Sequence, residues 1–118
     1  MSKLQVGYSQ VNANPPLGIG IDGYYVPRFA KGFLDDIEVI SMVLTCGDTT
    51  VAMVSVDACL IEEDLIARFC AAAEKATGIK KENIFLSATH THTGPFLNAL
   101  RQAPATHSRG KQLQKKNL

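Results

Sequence analysis

Apolar positions along this chain fall into two periods. Residues 37–45 (Ile-Glu-Val-Ile-Ser-Met-Val-Leu-Thr) and 50–56 (Thr-Val-Ala-Met-Val-Ser-Val) are β-favouring runs of strand length. They flank Cys46-Gly-Asp-Thr49, and Gly-Asp at the centre of so short a joint signals a tight hairpin. The second run is apolar at nearly every position, the pattern of a central strand covered on both faces. Residues 61–78 switch to the helical period, with Leu65, Ile66, Phe69, Ala73 and Ala76 recurring at three- and four-residue steps. Glu62, Glu63 and Asp64 suit the positive end of that helix, Lys75 the negative end, and Gly78 a left-handed stop. Residues 83–87 (Asn-Ile-Phe-Leu-Ser) return to a short buried strand, and residues 4–12 alternate imperfectly and fit another. The predicted fold is α/β: one small domain with a mixed sheet, a β-hairpin followed by a right-handed βαβ unit.

That order places the chemistry. Parallel strands end on one edge of their sheet, and ligands of open α/β sheets bind at that edge. Asp57 closes the first parallel strand, while Thr89-His-Thr-His-Thr-Gly-Pro95 follows the second. If the backbone stays extended there, His90 and His92 share a face with about 6.5–7 Å between them, before Gly94-Pro95 turns the chain. Asp57, His90 and His92 are therefore expected to converge, the other role for Asp57 being to cap the following helix. Upstream, residues 14–23 are rich in Pro and Gly and read as an extended loop. Their glycines, Gly20 among them, allow backbone to lie against a ligand. Arg28, flanked by aromatic residues in the loop of residues 24–29, is a candidate substrate-facing cation, or else a surface salt-bridging one.

A length of 118 residues with 46% hydrophobic content supports one domain, expected over residues 4–100, with a basic and disordered tail at 101–118. That tail holds five of the 12 basic groups and no acid, which leaves the first hundred residues with seven basic against 11 acidic groups. A mildly acidic body argues against nucleic acid as a partner. Cys46, Cys59 and Cys70 show no Cys-x-x-Cys spacing and read as reduced, mostly buried thiols. With no leader pattern and no apolar run long enough for a transmembrane segment, a cytoplasmic location is expected. Ser87 lies inside a strand without a nucleophile elbow, and Gly18-Ile-Gly20 precedes no helix, so serine nucleophiles and phosphate loops lack support. A metal-activated water fits the histidines better. A catalytic zinc needs about three protein ligands, and the supply here is His90, His92 and Asp57, with His107 in the tail.

Several stretches together carry a family likeness. Val6-Gly-Tyr, Asn14-Pro-Pro-Leu-Gly-Ile, Val54-Ser-Val-Asp57, Ala76-Thr-Gly-Ile79 and, most specifically, Glu82-Asn-Ile-Phe-Leu-Ser-Ala-Thr-His-Thr-His-Thr-Gly-Pro95 resemble the N-terminal domain of the neutral/alkaline non-lysosomal ceramidases. The likeness spans roughly residues 4–98. It implies a zinc amidase that hydrolyses the amide of N-acylsphingosine, a lipid substrate. By the same likeness His90 is the zinc ligand and His92 lines the substrate site beside the scissile amide. Thr93 stands where the family usually has Ser, and Leu34 stands where it commonly has a histidine. The family's other zinc ligands lie far downstream of the His-Thr-His motif, so the expectation is a truncated N-terminal piece that is inactive alone. Two alternatives are a non-catalytic α/β module that self-associates through a sheet edge or the Gly/Pro loop, and a metal-binding protein without catalysis.

Overall fold

Residues 2–97 are described by the computed structural model. Their elements run β1 (Gln5–Asn12), β2 (Gly20–Ile21), β3 (Arg28–Phe29), β4 (Glu38–Cys46), β5 (Thr49–Val56), α1 (Glu63–Thr77) and β6 (Ile84–Ala88). The tail expected at 101–118, with His107, lies outside the described residues. The hairpin forms where the sequence places it, β4 and β5 pairing antiparallel around Gly47-Asp48, with Cys46 opposite Thr49. β6 then lies parallel to β5, in register from Ala52–Ile84 to Val56–Ala88. β1 pairs antiparallel with β4, giving a mixed sheet in the order β1-β4-β5-β6. This is the α/β architecture the periodicities predict.

The helix between β5 and β6 covers one face of that sheet. Ile66, Phe69, Cys70 and Ala73 of α1 meet Val43, Ala52 and Ile84 of the strands, and Ile79 closes the end of the cluster. Cys70 is buried at the centre of the helical stripe, whereas Ala76, expected within it, is exposed. Gly78 ends the helix at φ 76° and donates its N–H to the Glu74 carbonyl at 2.8 Å, the left-handed stop expected from its side-chain-free Cα.

The opposite face departs from expectation. Register puts Val6, Tyr8, Ile40, Met42, Leu44, Val51, Met53 and Phe85 together on it. Val6, Tyr8, Met53 and Phe85 are 61%, 66%, 46% and 61% exposed. β5 is central, but among the described residues α1, the one α-helix, covers only its Ala52–Val54 face. Its uninterrupted apolar run therefore marks one packed face and one bare one.

A second, smaller unit forms from the segment expected to be loop. β2 and β3 pair antiparallel, Gly20 with Phe29 and Ile21 with Arg28, and Pro95 bridges to Ile21. Ile19 and Ala30 are buried together beneath this ribbon. Phe96 donates its N–H to the Gly20 carbonyl at 2.8 Å, so the chain leaving the His-Thr-His segment is tied to the edge of the two-stranded ribbon. Among the described residues no helix is long and apolar enough to cross a membrane.

Candidate functional site

The C-terminal ends of β5 and β6 share one sheet edge, and backbone hydrogen bonds join the loops that follow them. Thr89 donates its N–H to the Val56 carbonyl, and His90 donates to Ala58, each at 2.9 Å. His90 has φ 63°, and among the described residues it is the one non-glycine with positive φ. Left-handed backbone costs an L-residue about 1–2 kcal/mol and persists only where its surroundings enforce it. Here the Ala58 carbonyl and the Cys59 carbonyl both hold His90. The two histidines thus meet by a route different from the extended strand expected of them. Their rings lie edge to face at 84° with centroids 4.8 Å apart, and the two Nε2 atoms are 3.2 Å apart.

The roles of the ring nitrogens follow from their partners. His90 Nδ1 donates to the Cys59 carbonyl at 2.9 Å, since a carbonyl only accepts. That leaves its Nε2 with a free lone pair pointing at His92, whose Nε2–H donates to it. A histidine whose Nδ1–H is tied to a backbone carbonyl is in the tautomer that metal ligands adopt. The Cys59 thiol lies 3.5 Å from His90 Nδ1 and is buried, while both histidines are exposed. Burial pushes the Cys59 thiol above its usual range, and the Asp22 carboxylate adds to the effect. One potential ligand atom from each of Cys59, His90 and His92 lies within 4.8 Å of the others.

Asp57 reaches the same sheet edge but has other partners. Its carboxylate accepts from the Glu38 N–H at 3.0 Å and from the Thr89 hydroxyl at 3.1 Å, tying β4 to the start of the histidine segment. It also lines a cavity of about 420 Å³ with Thr91 and Thr93, which flank His92 in sequence. Ile19, Ile21, Phe33 and Leu34 supply apolar wall, and Asp35 and Asp36 supply further carboxylates. Leu34 therefore borders this cavity as an apolar side chain that offers no ligand atom. Gly20 and Arg28 sit in the neighbouring ribbon, where Arg28 stacks its guanidinium 4.4 Å from the Tyr24 ring centroid.

Two residues important to this geometry escape a reading of the sequence. Cys59 follows Asp57 by two positions and so belongs to the same sheet-edge loop, a signal that was available. Gly23, at φ 92°, packs so closely on His92 that a Cβ there would lie 2.7 Å from His92 Cα, Cβ and Cγ. Gly20 is less constrained, with only Phe96 Cβ at 3.7 Å.

The donor set of one sulfur and two imidazole nitrogens fits zinc, which takes Cys and His ligands and keeps a position open in catalytic sites. Two solved structures share the fold. Neutral ceramidase from Pseudomonas aeruginosa matches over 80% of this chain with a TM-score of 0.71 and 22% identity. A ceramidase complexed with C2 matches over the same 80% with a TM-score of 0.70 and 22% identity. Each match takes up 16% of the ceramidase chain, so this chain spans a small part of the length of the proteins it resembles. No protein-family model matches the sequence, and no curated protein does. The fold of this chain is thus one that neutral ceramidase contains as a segment.

Proposed function

We propose that this chain is the N-terminal fragment of a ceramidase-like, zinc-dependent amidase and carries part of its active site. The observation that supports this reading best is the His90–His92 pair, with Nε2 atoms 3.2 Å apart at the edge where parallel strands end. When bound, zinc supplies Lewis-acid polarisation of an amide carbonyl and an acidified water. His90 would hold the ion through Nε2, its tautomer fixed by the Cys59 carbonyl. His92 donates a hydrogen bond toward the developing oxyanion or the leaving amine. Asp57 positions the segment through Thr89, and the apolar wall of Ile19, Ile21, Phe33 and Leu34 in the neighbouring cavity takes part of a lipid amide such as N-acylsphingosine, placing the parent enzyme in sphingolipid metabolism. Three unpaired cysteines fit a reducing compartment such as the cytoplasm.

The isolated chain is expected to bind an N-acyl amide without turning it over. The test is equilibrium binding of a fluorescent short-chain N-acylsphingosine, with product analysis in the same samples. Binding weakened by His92→Ala supports the reading, and absence of binding removes it. Turnover by the chain alone, abolished by chelator, would show the site to be complete and overturn the fragment reading.

One observation favours a second reading, a non-catalytic assembly module. The bare sheet face of Val6, Tyr8, Met53 and Phe85 is the kind of surface that self-association covers. Sedimentation velocity distinguishes the two: a dimer that reverts to monomer in Met53→Lys/Phe85→Lys supports assembly through this face.

A further inference from the structure

We infer that Cys59 joins His90 and His92 as the third ligand of a site for a thiophilic transition metal, zinc or copper(I), that this chain holds by itself. The inference deepens the metal role of His90 proposed above and rests on it; in the isolated chain His92 gives the ion the Nε2 that in the parent enzyme would face substrate. It adds a ligand that lies outside the histidine motif and that the family likeness does not supply.

Three observations carry it. Two metal–nitrogen bonds of about 2.0–2.1 Å at a tetrahedral angle hold their nitrogens about 3.3–3.4 Å apart. His90 and His92 Nε2 stand 3.2 Å apart before any ion is added, so the N–H now between them is replaced by metal with little movement of either ring. Second, the Nδ1–H of His90 is already committed to the Cys59 carbonyl, which presents Nε2 as the ligand atom. Third, Cys59 is buried beside His90 with its sulfur 3.5 Å from Nδ1, and one candidate ligand atom from each of Cys59, His90 and His92 lies within 4.8 Å of the others. Sulfur and nitrogen on one tetrahedral ion sit about 3.5–3.6 Å apart, and rotation about the Cys59 Cα–Cβ bond is the movement that would carry the sulfur toward the Nε2 side of the ring. A thiolate selects zinc or copper(I) over magnesium or calcium, which prefer oxygen. Both imidazoles are exposed, which leaves the fourth position open to water or ligand.

Cobalt(II) titration of the full chain, in a Cys46→Ser background that removes the exposed thiol, tests this. The expected result is the strong visible bands of tetrahedral cobalt, together with a sulfur-to-cobalt charge-transfer band in the near ultraviolet. Cys59→Ser should abolish the charge-transfer band and weaken binding by more than the roughly 10–100-fold typical of losing an outer-shell partner. His90→Asn, chosen because asparagine tolerates left-handed backbone, should remove tetrahedral binding while far-ultraviolet circular dichroism stays native. Cobalt bound without a charge-transfer band would overturn the role of Cys59 and leave His90 as a ligand. No binding by the folded wild-type chain would overturn the metal role of His90 as well.

Discussion

Replacing Gly23 by alanine tests whether the β2–β3 ribbon holds His92 in place. A Cβ at this position would meet three atoms of His92 at 2.7 Å, about 1 Å inside the optimal carbon–carbon separation of about 3.5–4.0 Å. Two of those atoms, Cα and Cβ, cannot rotate away without the backbone moving. Left-handed φ adds about 1–2 kcal/mol for alanine, and overpacking of this kind typically costs about 1–3 kcal/mol. Lower entropy of the unfolded alanine chain returns about 0.4–1 kcal/mol. The net expectation is a loss of about 2–4 kcal/mol, read in urea denaturation as a midpoint about 1–3 M lower. The structure has a second way out, in which His92 swings off His90. Ring 15N spectra report this directly, because the Nε2–H now shared between the imidazoles would lose its acceptor. Gly20→Ala is the control: its Cβ would find only ordinary contact, at 3.7 Å from Phe96 Cβ, and stability should change by less than about 0.5 kcal/mol. A Gly23→Ala chain with wild-type midpoint and unchanged ring signals would refute the argument that backbone contact positions His92.

Further outcomes are expected elsewhere. Ile84→Ala removes a side chain buried between α1 and β5 and should cost about 2–5 kcal/mol in the same denaturation assay. Asp57→Ala leaves the Glu38 N–H without its carboxylate acceptor and should cost about 1–3 kcal/mol. Combining it with Thr89→Val should cost less than the two single changes added together, because they share one hydrogen bond. On the bare sheet face, Met53→Lys/Phe85→Lys should leave the unfolding free energy within about 1 kcal/mol of wild type, since neither side chain belongs to the packed cluster.

Much of this was legible in the chain because its signals are local. A two-residue Gly-Asp joint dictates the hairpin, helical steps followed by Gly78 dictate α1, and the strand–helix–strand order brings two strand ends to one edge. What the sequence left hidden depends on distant partners. The run from residue 50 to 56 reads as doubly covered, since apolar content does not say whether a second layer exists. The histidines read as an alternating pair, but His90 takes left-handed backbone because the Cys59 loop supplies acceptors for both its N–H and its Nδ1–H. Histidine tolerates that region better than most residues, yet nothing nearby in the sequence demands it. Likewise the chain beyond Gly94 returns to bridge the β2–β3 ribbon, a contact between segments some seventy residues apart.

The exposed side chains of Val6, Tyr8, Met53 and Phe85 bear on how the chain responds to heat and denaturant. Unfolding adds little new hydration at positions that water already touches, so the heat-capacity increment should fall below the roughly 12–15 cal/mol/K per residue of well-enclosed domains. The slope of stability against urea should be shallow for the same reason. Both quantities should rise toward ordinary values once a second body covers that layer, which makes calorimetry a gauge of whether the chain has found one.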